Sequence, residues 1–318
     1  MSTHLVTGVT GQDGILLAQL LRAEGGRVIG TCRPGSPARS AMAPYLEGVE
    51  VAELDLQDQV GFARLVEDAE PDEVYNLAAM SSVGLSWNHS EEAIAVNGTA
   101  VAQMLETLAP LPGVRFLQAS SAEQDGDGSA SPYAQGKSLA QDSTRRARAN
   151  GGFACSAILH IHESPLRRPS FVVRKITRTV AEIALGKTDR LTLGTLDVRR
   201  DWGSAVDSVA AMRLIIRADE PDDFVVATGE SRGLRDVVEI AFAAAGISEP
   251  WSYVSHDASL TRPADAADLV GDATPLRERL GWRPRQHLSS VIENMVRVDL
   301  ERIATGVEES AAYLEGIA

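Results

Sequence analysis

The chain has 318 residues, 44 acidic against 30 basic, for a formal net charge of -14, which argues against nucleic acid or an anionic membrane surface as its main partner. Its length suits one large α/β domain or two closely associated ones; no apolar run reaches the roughly 18 residues of a membrane-spanning helix. The N-terminus enters a strand with no signal-peptide pattern, so a cytoplasmic protein is expected.

In chain order, His4 to Thr7 reads as a strand, and Gly8-Val-Thr-Gly11-Gln-Asp-Gly14 turns it into a helix carrying Ile15, Leu16, Leu17, Leu20 and Leu21. Glycines at such a turn let the backbone approach a pyrophosphate lying at the positive helix end. The turn stands at the head of a chain that goes on alternating strand and helix. Gly8, Thr10, Gly11, Gln12, Asp13 and Gly14 are therefore read as dinucleotide contacts, a merely structural turn being the alternative. Val28 to Cys32 is the second strand. It ends in Arg33 with no carboxylate nearby, and Arg39 follows in the same loop. An arginine there accommodates a 2′-phosphate, so NADP is expected over NAD, with two solvated surface arginines as the alternative.

Val49 to Leu54 is the third strand, with Asp55 and Leu56 placed to flank an adenine. Glu73 to Leu77 is the fourth, leading into Ala78, Ala79, Met80, Ser81 and Ser82, a backbone that a cofactor can approach closely or that is simply tightly packed. An amphipathic helix through Ala93 to Leu108 follows, with Asn97 as an ordinary polar residue of it. Val114 to Gln118 reads as a buried strand delivering Ser121 and Glu123 to its carboxyl end, where ligands of open α/β sheets bind. Ser131-Pro132 reads as an N-cap with proline in the first turn, so Tyr133 and Lys137 lie four apart on one helix face. The lysine charge favours the phenolate and draws the phenol toward use as a general base, while Ser121 hydrogen-bonds the same substrate oxygen. Tyr-x-x-x-Lys alone also fits an ordinary exposed helix face.

Ala154 to Leu159 is the next strand and opens into His160-Ile-His-Glu-Ser-Pro165. Arg167, Arg168, Arg174 and Lys175 then cluster in an otherwise acidic protein, suited to a second diphosphate or to a solvated loop. A helix from Ile176 to Leu185 follows, then Arg199-Arg-Asp-Trp-Gly203, a strand from Asp222 to Ala227, and helices over Leu234 to Ala245 and Leu288 to Ile303. Arg235 and Arg262 are isolated basic positions near element ends, and Gly306 to Ala318 looks helical. Neither Cys32 and Cys155 nor the six histidines have metal-ligand spacing, so buried thiols and no metal are expected. The fold class is α/β, a Rossmann-type doubly wound parallel sheet over residues 1-165 with a smaller C-terminal α/β substrate-binding domain over 166-318. Later segments return to the first sheet, so the boundary is soft.

Eight stretches carry a more specific pattern: Gly8 to Gly14, Pro71 to Ala79, Gln118-Ala-Ser-Ser-Ala-Glu123, His162-Glu-Ser-Pro165, Phe171 to Ile176, Arg200-Asp-Trp-Gly203, Pro221 to Gly229 and Leu280-Gly-Trp-Arg-Pro284. In this order the chain resembles the extended short-chain dehydrogenase/reductase superfamily and, within it, the GDP-mannose 4,6-dehydratases, to about Leu300. The resemblance implies Ser121, Glu123, Tyr133 and Lys137 as the catalytic set, with Glu123 the residue that separates a dehydratase from a reductase or epimerase. It implies oxidation at sugar C4, loss of water across C5 and C6, and return of hydride to C6, giving GDP-4-keto-6-deoxymannose.

It further implies Arg33, Leu77, Ala78, Ala79, Ser81, Tyr133, Lys137, His162 and Arg167 at NADP. Ser82, Glu163, Arg174, Lys175, Arg199, Arg235 and Arg262 are implied at the nucleotide-sugar substrate, and a homodimer or homotetramer as the assembly. Three departures stand out: a short segment from Gln124 to Pro132, Ile161 where the family has asparagine, and Leu166 where it has an arginine. A nucleotide-sugar 4-ketoreductase or epimerase, and a catalytically lapsed NADP-binding protein, are the competing readings.

Overall fold

In the computed structural model, which describes residues 1-125, 131-260 and 268-316, seven strands pair as one sheet. They are β1 (Thr3–Thr7), β2 (Arg27–Cys32), β3 (Glu50–Glu53), β4 (Glu73–Asn76), β5 (Arg115–Ser121), β6 (Phe153–Leu159) and β7 (Asp223–Val226). Their spatial order is β7-β6-β5-β4-β1-β2-β3, and every neighbouring pair is parallel. The order reverses between β1 and β4, the switch point at which doubly wound sheets open a crevice for ligands.

Contacts divide the chain into two units: Met1–Leu159 with Ser208–Val226 and Ala273–Trp282, and His160–Asp207 with Ala227–Asp272 and Arg283–Ala318. The break thus falls at the end of β6, earlier than residue 165, and the returning segments supply β7 and part of the first unit's flank. No helix among the described residues is long and apolar enough to cross a membrane.

In the first unit, Leu5, Ile29, Val74, Phe116 and Ala154, one from each of five neighbouring strands, bury against Phe62, Val66, Val101, Met104 and Leu108. A Leu- or Phe-sized side chain taken out of water contributes about 1.5–3 kcal/mol, so this layer stabilises the first unit. Cys32 and Cys155 are buried free thiols, and burial pushes the Cys155 thiol up, away from reactivity. Helix α1 (Gln12–Ala23) follows β1. Helix α2 (Pro132–Ala149) begins as its sequence dictates, with Ser131 Oγ accepting the Ala134 N–H and Pro132 in the first turn.

The expected single helix over Ala93 to Leu108 is broken in register. Helical turns at Ser90–Ile94 and Ala100–Leu108 flank a π-helical turn at Ala95–Thr99. Backbone proximity accompanies the break: a Cβ on Gly98 would lie 2.9 Å from Gly136 O, and one on Gly136 would lie 2.7 Å from Asn97 Cβ.

At the amino-terminal edge of the sheet, Glu73 accepts from the Tyr75 hydroxyl (2.8 Å) and Arg217 Nε (2.7 Å) and lies 2.9 Å from His4 Nδ1. Burial pushes its carboxyl up, but these partners together outweigh burial and hold it at about 2. A depressed carboxyl stabilises fully above its unfolded value near 4.3 and loses that contribution as pH falls toward 2. Glu73 is therefore expected to account for about 2–3 kcal/mol of the stability lost between pH 5 and pH 2 in urea unfolding, and Glu73→Gln to remove that share of the slope. An unchanged slope would assign acid sensitivity elsewhere.

In the second unit, α3 (Val172–Ala184), α4 (Leu234–Ala244) and α5 (Leu288–Thr305) share a core of Val173, Ile176, Val180, Val237, Phe242, Ile292 and Met295. Helix α5 stops at Gly306 (φ 72°), a left-handed cap. Beyond it the described residues hold only a 3-10 turn at Ala311–Leu314. The helix expected over Gly306 to Ala318 is absent from them, because the Tyr313 hydroxyl donates to Val307 O (2.6 Å) and folds the segment back on itself.

Candidate active site

A buried polar chain joins the carboxyl ends of β1 and β4 to the middle of β5. Thr7 Oγ1 donates to Asn76 Oδ1 (2.6 Å), and Asn76 Nδ2 donates to Gln118 Oε1 (2.8 Å). Thr7 Oγ1 also accepts the Leu77 and Ala78 N–H groups, both at 3.1 Å. The chain after β4 is thereby bent against the glycine turn. Gly8 has φ 71°, and a Cβ there would sit 2.9 Å from Ala78 Cα, so only glycine fits. Gly11 caps α1 without a side-chain hydrogen bond, which leaves the positive helix end for an anionic group. Thr10, Gln12, Asp13, Leu77, Ala78 and Ala79 are half-buried around this turn, Gly14 is buried within it, and Ser81 is exposed. Ser82 Oγ caps the short turn Val83–Ser86.

Asn97, read from sequence as unremarkable, is buried and engaged through both its oxygen and its nitrogen: Met80 N–H donates to its Oδ1 (2.8 Å) and its Nδ2 donates to Met80 O (3.1 Å). It fixes the backbone between Ala79 and Ser81. Nothing along the chain signals this, because the partner is a main-chain amide.

Strand β5 runs past its expected end at Gln118 as far as Ser121, since Ser120 Oγ finds Gln124 Oε1 at 2.6 Å and the serine can be buried. Ser121 Oγ accepts the Glu123 N–H (3.2 Å), turning the chain into a 3-10 turn at Ala122–Asp125 with Glu123 half-buried. Two hydrogen bonds clamp this segment to α2: Lys137 Nζ donates to Ala119 O (2.7 Å) and Ser138 Oγ donates to Gln124 O (3.1 Å). Tyr133 and Lys137 are both buried, with Lys137 Nζ 5.9 Å from the Tyr133 ring centroid. Burial pulls the Lys137 ammonium down to about 8, opposed by the charge of Asp13. At neutral pH the cation therefore persists beside the phenol and favours its ionised form. A phenol, an ammonium, a hydroxyl and a carboxylate thus come from one strand end and the helix clamped to it.

On the other flank, Arg33 follows β2 with its side chain 68% exposed and Glu92 Oε1 3.8 Å away. Arg39 pairs with Glu53 at 3.0 Å. Asp55 is exposed, and Leu56 packs on the first unit's core. The exposed arginine, the left-handed glycine turn and the helix end without a side-chain cap together fit the phosphates of a dinucleotide.

In the second unit, His162 Nδ1 lies 2.7 Å from His160 O. Glu163 and Arg167 pair at 3.3 Å, and the Arg167 guanidinium stacks 3.7 Å above the Phe171 ring. Arg174 corrects the sequence reading. It is buried in α3, its Nε bridges both Asp299 oxygens (2.9 and 3.0 Å), and Nη1 donates to Pro165 O and Arg167 O. It holds α3 to α5 and is not presented to a diphosphate.

Lys175 is half-buried. Arg199 donates to Ser231 Oγ and O, and Arg235 pairs with Asp197 at 3.2 Å and lies over the Trp251 ring. Arg262 lies outside the described residues. Leu166 is buried and Ile161 packs against the second unit's core, so both departures serve packing. Sequence reasoning also passed over buried Asp201. It accepts from Thr228 N–H and Oγ1 and from Gly229 N–H, and so anchors the Arg-Asp-Trp-Gly stretch.

The sequence model of the GDP-mannose 4,6 dehydratase family matches residues 5–295. The human GDP-mannose 4,6 dehydratase is 34% identical, with 95% of this chain and 92% of that one covered. GDP-mannose 4,6 dehydratase 2 of Arabidopsis thaliana is 36% identical over 93% and 86%. Two solved structures share the fold: RMD of Pseudomonas aeruginosa complexed with NADPH (TM-score 0.79, 20% identity, 95% and 100% covered) and dTDP-glucose 4,6-dehydratase of Bacillus anthracis in complex with NAD (TM-score 0.78, 14% identity, 93% and 96% covered).

Proposed function

The chain belongs to the GDP-mannose 4,6-dehydratase family, and from that premise we propose that it removes water from GDP-mannose with NADP as its resident cofactor. Glu123 carries this reading. A reductase or epimerase manages with one base beside the nicotinamide, whereas dehydration needs a second group able to take a proton from carbon and give it to a departing hydroxyl. Half-buried Glu123, whose backbone N–H donates to Ser121 Oγ and whose turn is tied to the Tyr133 helix through Gln124 and Ser138, supplies that group.

Tyr133 takes the proton of the 4-hydroxyl, with Lys137 favouring the phenolate and Ser121 hydrogen-bonding the same oxygen. When bound, the cofactor supplies a hydride acceptor at C4 and a hydride donor at C6, so water is lost without net redox change. The 4-ketone acidifies the proton at C5. Glu123 removes that proton and delivers it to the 6-hydroxyl, which leaves as water, and the proton taken up by Tyr133 balances the one that C5 regains. The product is GDP-4-keto-6-deoxymannose.

The fold alone does not choose the cofactor, since its relatives carry NADPH in one case and NAD in another. Arg33 supports NADP, because a 2′-phosphate needs a cation at the end of β2. The same reading makes the enzyme a cytoplasmic homodimer or homotetramer, the assembly being open to light scattering. Incubation with GDP-mannose and catalytic NADP+ is expected to give a sugar nucleotide lighter by one water in mass spectrometry. An unchanged mass, with NADPH consumed by a 4-keto sugar nucleotide, would replace the dehydratase with a ketoreductase.

A further inference from the structure

We infer that Glu53 is a specificity-determining residue of the cofactor site, a built-in anion that occupies Arg39 and so narrows the margin by which NADP is preferred over NAD. The inference rests on the reading that a 2′-phosphate binds beside Arg33. Along the chain no carboxylate follows β2, but β3 lies against it in parallel register, with Glu53 opposite Cys32. The carboxylate therefore arrives from the neighbouring strand.

The loop after β2 closes around it. Ser36 N–H donates to Arg33 O (3.1 Å), Gly35 takes a left-handed φ of 65°, and a short turn at Ala38–Ala41 brings Arg39 back toward β3. Arg39 Nη1 then donates to Glu53 Oε1 at 3.0 Å and its Nη2 reaches Val51 O at 3.5 Å. Gly35 N–H points at Glu53 Oε2 from 3.4 Å. One guanidinium and one backbone N–H converging on an anion are the donors that a phosphate monoester uses. Arg33 is less occupied, with Glu92 only at 3.8 Å.

The Arg39 and Glu53 side chains are 48% and 41% exposed, so their pairing is weak enough to open. A 2′-phosphate must nonetheless compete with Glu53 for Arg39 and approach a like charge. The neutral 2′-hydroxyl of NAD meets neither penalty. Arg33 thus carries phosphate recognition while Arg39 is held in check.

The test measures equilibrium dissociation constants by calorimetry for NADP+, NAD+, 2′,5′-ADP and 5′-AMP, with thermal unfolding as a folding check. Glu53→Gln is expected to tighten NADP+ and 2′,5′-ADP about fivefold, within the range of one exposed charge interaction, and to leave NAD+ and 5′-AMP within twofold. That gain should shrink in high salt. Arg33→Ala should weaken NADP+ about tenfold. Unchanged NADP+ binding in Glu53→Gln, with Arg33→Ala still weakening it, would overturn the role of Glu53 and keep the phosphate site. Equal weakening of all four ligands by Glu53→Gln would make Glu53 a prop of the loop and overturn its role likewise. Indifference of NADP+ and 2′,5′-ADP to both substitutions would remove the 2′-phosphate from this loop, and the inference with it.

Discussion

Glu123→Gln is expected to slow water loss by about 10³-fold, within the usual 10²–10⁴ of a general acid–base group, while leaving oxidation at C4 in place. Glutamine keeps the shape of the side chain and its N–H bond to Ser121 Oγ but can neither take the C5 proton nor hand it to the 6-hydroxyl. The Tyr133, Lys137 and Ser121 set is untouched by the change. In a single turnover with enzyme in excess, nicotinamide reduction should therefore appear at 340 nm and persist, because the 4-ketone formed has no route forward. Should reduction fail together with water loss, Glu123 would be a substrate-positioning residue and the division of labour proposed above would be wrong.

Lys137→Met is expected to lower kcat by about 10²–10³-fold and yet to stabilise the fold near neutral pH. The two effects have one origin. Lys137 is buried and held at about 8, below its unfolded value of about 10.4. Below pH 8 the ammonium is charged in both states, so folding bears the whole desolvation penalty. Between pH 8 and 10.4 the native state releases its proton first, and that penalty fades as pH rises.

The gross effect is about 3 kcal/mol, reduced by about 1–2 kcal/mol for the lost hydrogen bond to Ala119 O. Methionine fills the same volume without the charge, so a gain of about 1–2 kcal/mol at pH 7 should appear in denaturant midpoints and disappear by pH 10. In the wild type, kcat should also fall on the alkaline side as Lys137 loses its proton. A variant less stable than wild type at pH 7 would mean that the ammonium is fully compensated where it lies.

Much of the local structure of the candidate site was legible because its signals are local. A glycine turn between strand and helix, a serine-proline helix start, and a tyrosine and lysine four apart are each set by a few consecutive residues. The failures share another cause, which is partners far along the chain. Arg174 stands in a visible cluster of arginines, but Asp299 answers it from 125 residues away, and sequence pattern carries no record of that pairing. Arg33 has no acidic neighbour in sequence, whereas parallel pairing of β2 with β3 sets Glu53 beside its loop. Asn97 is engaged by the Met80 main chain, 17 residues away, and the π-helical turn around it lies where Gly98 and Gly136 approach closely. Each of these is a tertiary contact overriding a correct local preference.

The most direct test of the central claim uses GDP-mannose deuterated at C4, turned over with substoichiometric NADP+ in ordinary water. The expected product is lighter by one water and carries the label at C6, because hydride leaves C4 and returns within one turnover. Label lost to solvent, or a sugar recovered with its mass unchanged and its C4 label in place, would contradict it.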